Sequence, residues 1–150
     1  SGLDPAPFHA LFEMPDAALA AQGIRRVRAD AQAGFPCRVG LVDATPGEEL
    51  LLLTYPHHDV DSPYRAAGPI YVRRGSQRAE LAPGEVPTYV TRRLISLRAY
   101  DADAMMSKAE VLEGSEVGAR LREWFADAAV AYVHLHNARP GCYSCLASRA

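Results

Sequence analysis

The spacing of apolar and polar residues divides the chain into short elements of two kinds. Near the start, Phe8, Leu11 and Phe12 fall on one helical face behind Asp4-Pro5, an N-cap residue followed by proline at the first helical position. Pro15 to Gln22 reads as a second short helix, stopped by Gly23. Ile24 to Asp30, Cys37 to Val42 and Glu49 to Tyr55 suit strands, and the turn-rich DATPGE between the last two predicts a hairpin. Pro56 to Gly68, PHHDVDSPYRAAG, reads as a loop that is long for a compact domain. Pro69 to Arg73 is a short strand, Gly75 to Pro87 a polar loop and Pro87 to Arg93 a single helical turn. Leu94 to Tyr100 alternates, with Ile95, Leu97 and Ala99 on one face and Ser96, Arg98 and Tyr100 on the other.

The last third has the clearest pattern. Met106 to Leu112 predicts a strand, Ser115 is placed to cap a helix whose Val117, Leu121, Trp124 and Phe125 share a face, and Ala129 to Asn137 predicts another strand. Strand, helix, strand of this length suits a right-handed crossover. It would put His134 and His136 toward the carboxyl end of a parallel strand, where open α/β sheets bind ligands. The expectation is a single α+β domain over residues 1–150. It has a mixed, mainly antiparallel sheet of about six strands, helices packed on one face, and a C-terminal β-α-β-hairpin unit.

Composition narrows the class. Hydrophobic residues are 49% and charged residues 23%, which excludes a disordered chain. A net charge of −2 argues against a nucleic-acid partner. The local exception is Arg65 to Arg98, where seven arginines face only Glu80 and Glu85; that run reads as a solvated face or an anion patch. No apolar run is long enough to cross a membrane, and the N-terminal residues lack the basic-then-apolar pattern of a signal peptide. Three cysteines do not make a disulfide framework, so reduced thiols in a bacterial cytoplasm are expected.

Chemistry concentrates in AYVHLHNARPGCYSC, Ala131 to Cys145. Side chains alternate along a strand, so Tyr132, His134 and His136 share one face, and Val133, Leu135 and Asn137 share the other. If Cys142 to Ala147 returns as a hairpin strand, its register decides what meets the imidazoles. A four-residue loop, Ala138 to Gly141, pairs Asn137 with Cys142 and brings Cys145 among the histidines. A three-residue loop, Ala138 to Pro140, pairs His136 with Cys142. Pro140-Gly141 suits either. The candidate chemistries are a zinc-type His/Cys site, a nucleophilic cysteine beside a histidine, and a redox CxxC, set against polar wall residues and buried cysteines with no chemical role. The CxxC reading is weak, because a strand lends neither thiol a helix N-terminus. His57-His58, beside Asp59 and Asp61, read as exposed loop residues, and Asp101 with Asp103 as an Asp-rich turn. Nothing matches a phosphate loop, a dinucleotide fingerprint or a hydrolase elbow, and no cofactor is expected.

Taken together, GLDPAPF, GFPCRV, SPYRAAGPIYV, LRAYDA and VHLHNARPGC, in that order, resemble the bacterial family catalogued as domain of unknown function 1203. The resemblance spans nearly the whole chain and implies one domain without implying a reaction. It weights Cys37, Tyr64, Arg65, Gly68, Pro69, Arg98, Tyr100, Asp101, His134, His136, Asn137, Gly141 and Cys142. Cys145 and the His57-His58 pair fall outside it, which favours the register with His136 near Cys142. The leading expectation is a small-molecule pocket for an anionic ligand, open to catalysis. In it, His134, His136 and Cys142 serve as the reactive groups, and Tyr64, Arg65, Arg98, Tyr100 and Asn137 hold the ligand. Whether the histidines bind a metal is left open. The alternative is a non-enzymatic interaction module, homodimeric through an exposed sheet edge or the aromatic face.

Overall fold

The alternating runs become nine strands, and their pairing splits them into two sheets. The computed structural model describes all residues, 1–150. Two short helices open the chain, α1 (Ala6–Phe12) and α2 (Asp16–Ala21), followed by β1 (Arg25–Arg28), β2 (Pro36–Cys37), β3 (Val42–Asp43), β4 (Glu49–His58) and β5 (Ala66–Arg73). These five strands form the first sheet, in the order β1-β4-β5-β2-β3. Only β2 and β5 run parallel, meeting at Cys37 and Tyr71. The helical turn α3 (Thr88–Thr91) leads to β6 (Leu94–Tyr100) and β7 (Met106–Glu113). Helix α4 (Val117–Phe125), β8 (Tyr132–Asn137) and β9 (Tyr143–Ser148) complete the chain. The second sheet has the order β7-β6-β8-β9 and is antiparallel throughout.

The protein is thus α+β and mainly antiparallel, with two sheets where one of about six strands was expected. Each sheet has its own core. Phe8, Phe12 and Leu19 from α1 and α2 cover the first sheet at Leu51, Leu53, Ile70 and Val72. Val117 and Trp124 of α4 cover the second at Ile95, Leu97, Val133 and Leu135. No helix is long and apolar enough to cross a membrane.

Three local expectations change. Cys37 to Val42 is not one strand hairpinned with β4. After Cys37 the chain turns, because the buried Cys37 Sγ accepts N–H groups from Gly40 (3.5 Å) and Arg73 (3.3 Å), and Leu41 N–H reaches back to Cys37 O (2.9 Å). Leu41 closes that turn at φ 52°, and β2 pairs with β3 and β5. Residues 56–58 and 66–68 belong to strands, so the loop shrinks to 59–65. Pro56 suggested a break, but it lies where the β4–β5 register shifts, between Tyr55 and His58, a place that needs no N–H from it. Helix α4 is entered through a tight turn, Gly114–Glu116, with Glu116 at its N-cap and no capping by Ser115. Gly114 is required there: a Cβ would lie 1.9 Å from Val90 O and 2.7 Å from Arg93 O.

The segment β7-α4-β8 places two strands on either side of β6, both antiparallel to it and therefore parallel to each other. His134 and His136 stand within β8, on the face toward the end of β4. The two sheets meet at that face.

Candidate functional site

The C-terminal hairpin starts in the four-residue register and then slips to a pairing that neither loop length predicts, so His136 does not pair with Cys142 and His134 pairs with Leu146 instead of Cys145. At its tip Asn137 N–H donates to Cys142 O (2.9 Å) and Gly141 N–H to Asn137 O (2.8 Å), closing a four-residue loop. Gly141 sits at φ 76°, a left-handed position that suits glycine. His136 then pairs with Tyr143, but Leu135 pairs with Cys145, so Ser144 is the extra residue of a bulge. Tyr89 holds that bulge: its hydroxyl donates to Ser144 O (2.9 Å) and accepts from Ser144 Oγ (2.7 Å). The slip turns Cys145 into the core, where burial pushes its thiol up to about 11. Cys142 lies on the Asn137 side, away from the imidazoles. The ring beside His136 and His134 is Tyr143, with centroids 5.9 and 5.3 Å away.

The imidazole face is a packed aromatic layer. Ser96, Arg98 and Tyr100 of β6 pair with His136, His134 and Tyr132 of β8, so all six side chains share a face. His57 and His58 arrive from β4. His57 stacks on Tyr143 at 5.2 Å and meets His136 edge-on at 5.1 Å. His58 packs 4.3 Å from Tyr100 and 4.8 Å from His134. The Tyr64 carbonyl can only accept, so His58 Nδ1 donates to it (2.8 Å); in the neutral ring Nε2 accepts from the Tyr132 hydroxyl (2.7 Å). The same reasoning assigns the His136 proton to Nδ1, which donates to Gly141 O (3.0 Å) and pins the hairpin turn.

His134 and His136 are held neutral. Burial pushes His134 down to about 3 and His136 to about 4, and the Arg98 cation adds to both. His57 is lowered too, by burial first and His58 second. His57 Nδ1, His134 Nδ1 and His136 Nε2 are buried without hydrogen-bond partners. Neutral imidazole is a preferred zinc ligand. Even so, no three histidine, cysteine or carboxylate side chains converge as a metal-binding group.

The opposite side of the same hairpin opens on a cavity of about 650 Å³, lined by Arg38, Arg92, Arg93, Asn137, Arg139 and Cys142, with Glu113 as its acid. Arg38, at the start of the strained β2–β3 turn, is 1% exposed. Its Nε donates to Tyr143 O (2.8 Å), one Nη to Pro36 O and the other to Cys142 Sγ (3.0 Å). No carboxylate is among its partners. Asn137 Nδ2 also donates to Cys142 Sγ (3.4 Å), while Asn137 Oδ1 is buried and unpartnered. Arg93 is neutralised by Asp43, whereas Arg92 and Arg139 are exposed and pair with no carboxylate.

The residues singled out in the sequence therefore divide. Tyr64, Arg98, Tyr100, His134 and His136 gather on the aromatic face, Tyr64 at its rim with its ring 6.0 Å from Tyr100. Asn137 and Cys142 belong to the arginine cavity. Arg65 joins neither; it is exposed and pairs with Asp59. His57 and His58 are packed residues of β4, not exposed loop residues. Arg38 was not singled out, since the sequence put it inside the strand expected over Cys37 to Val42 and it stands outside the dense arginine run. Its one local signal is its place next to Cys37, in the stretch GFPCRV.

No curated protein and no solved structure matches the chain. One family model does, over residues 34–149, a span that takes in Arg38, the aromatic face and the whole hairpin while leaving out α1, α2 and β1. The chain therefore belongs to the family described as protein of unknown function DUF1203.

Proposed function

We propose that the protein binds a small anionic ligand in the cavity between the β2–β3 turn and the hairpin tip. One observation carries this reading: a guanidinium buried to 1% exposure, bonded to two carbonyls and a sulfur but to no acid, lining an open cavity. Arginine keeps its charge inside proteins, and desolvating a cation costs several kcal/mol unless a negative partner offsets it. An anion in the cavity supplies that partner. Arg92 and Arg139 at the mouth attract it, and the Asn137 side chain lines the wall beside Cys142. The aromatic face acts behind the site, since His136 fixes Gly141 and so the turn carrying Asn137 and Cys142. Three free thiols fit a reducing compartment such as the cytoplasm.

Thermal melts with inorganic phosphate, malonate and citrate test the reading, with glycerol and ethylenediamine as neutral and cationic controls. A ligand at one hundred times its dissociation constant adds about 2.7 kcal/mol of stability. At least one anion should raise the midpoint progressively with concentration, and the double variant Arg92→Ala/Arg139→Ala should need more of it. Equal midpoints with every anion and control would end the proposal.

A further inference from the structure

We infer that Cys142 is a nucleophile of this cavity and reacts with small anionic disulfides, an inference that rests on the anion pocket proposed above. Of the three free thiols, Cys37 and Cys145 are buried in the two cores, and only Cys142 is half-exposed and lines the cavity. Its sulfur is fixed from two sides, by Arg38 Nη2 at 3.0 Å and Asn137 Nδ2 at 3.4 Å. Both groups donate, so they hold the sulfur in place and orient its lone pairs. Independently of the thiol, Asn137 is 5% exposed, lines the same cavity and keeps an unpartnered Oδ1, so its amide is not fully satisfied by the protein alone. Arg92 and Arg139 stand at the mouth without acids and select for negative charge on the group that brings the electrophile.

The step balances without another oxidant. Cys142 loses its proton to solvent, and Sγ attacks one sulfur of the disulfide. A Sγ–S bond forms as the old S–S bond breaks, and the second half of the disulfide leaves as a thiolate with the electron pair. The disulfide is the oxidant and Cys142 the group oxidised. The product is a mixed disulfide seated among the arginines, so its carboxylates are neutralised by the residues that recruited it.

The test compares dithionitrobenzoate, an aromatic disulfide with two carboxylates, with cystamine, a disulfide with two ammonium groups. Each rate is divided by that of N-acetylcysteine amide, a thiol without another charge, with the same reagent, which removes intrinsic differences in the reagents. One thiol per chain should react fast with dithionitrobenzoate, and its normalised rate should exceed that for cystamine by about tenfold or more, a steering effect that salt suppresses. Cys142→Ser should remove the fast phase, and Cys145→Ser should keep it. Arg92→Ala/Arg139→Ala should lower the dithionitrobenzoate rate several-fold without lowering the cystamine rate. A fast phase that survives Cys142→Ser, or equal normalised rates for the two reagents, would overturn the inference. Malonate stabilisation of the reduced wild-type protein separates the two claims. If malonate stabilises but no thiol is selectively fast, the nucleophile fails and the pocket stands. If malonate and the other anions do nothing, the pocket fails first.

Discussion

Lowering the pH from 7 to 5 should destabilise the protein through its buried imidazoles. His134 and His136 have folded values of about 3 and about 4, against 6.5 in the unfolded chain. Both rings are therefore neutral in the folded protein at pH 5, while the unfolded chain has taken up a proton on each. Stability is complete above pH 6.5 and is lost as the pH falls from there toward 3. Each unit of difference is worth about 1.4 kcal/mol, so at pH 5 each ring costs about 2 kcal/mol and the pair about 4 kcal/mol. The groups facing the rings reinforce the sign: His58, His57 and the Arg98 cation all disfavour a proton on His134, and Tyr100, Tyr132 and Tyr143 complete the cluster. The lowered carboxylates Glu48 and Glu49 add the same trend only below their ordinary value of 4.5, outside this window. Urea unfolding at pH 7 and pH 5, followed by the fluorescence of Trp124, the single buried tryptophan, reads the difference directly. His134→Phe removes one titrating ring and should cut the pH-dependent loss by about half. A wild-type loss below about 1 kcal/mol, or an unchanged loss in His134→Phe, would refute the reasoning.

Other substitutions probe the same architecture. Tyr132→Phe strips the hydroxyl that donates to the buried His58 Nε2 and should cost about 1–3 kcal/mol in urea unfolding. Arg38→Lys cannot reach Tyr143 O, Pro36 O and Cys142 Sγ together, so it should lose about 1–3 kcal/mol and abolish anion-dependent stabilisation in thermal melts. Gly114→Ala drives a methyl into the Val90 and Arg93 carbonyls; soluble yield and melting temperature should fall sharply, whereas Gly84→Ala, with open space around it, should suffer only the cost of its left-handed backbone.

The strands with strict alternation were legible. Leu94 to Tyr100 is β6 with the expected core face, and Tyr132, His134 and His136 do share the other face of their sheet. What the pattern hid was set by contacts distant in sequence. The hairpin register is divided by a bulge at Ser144, and that bulge exists because Tyr89, 55 residues away, bonds Ser144 on both sides. Local turn chemistry at Pro140-Gly141 holds no trace of it. The strand order of the first sheet likewise depends on β4 pairing with β1 and β5 instead of Cys37 to Val42, where the chain turns around Cys37 Sγ. A single candidate site became two because adjacent residues of one strand, His136 and Asn137, face opposite ways. Arg38 escaped notice since nothing in its own neighbourhood marks it as buried without an acid.

Asn137 is the only asparagine of the chain, which makes the central claim open to direct observation. Protein labelled with nitrogen-15 at asparagine alone shows one backbone amide and one side-chain NH2 pair, the latter bonded to Cys142 Sγ in the cavity. Titration with malonate and phosphate should shift that NH2 pair along a saturable curve, with ethylenediamine leaving it unmoved. A side-chain pair that stays in place at every anion concentration would contradict an anion site at Arg38, Asn137 and Cys142.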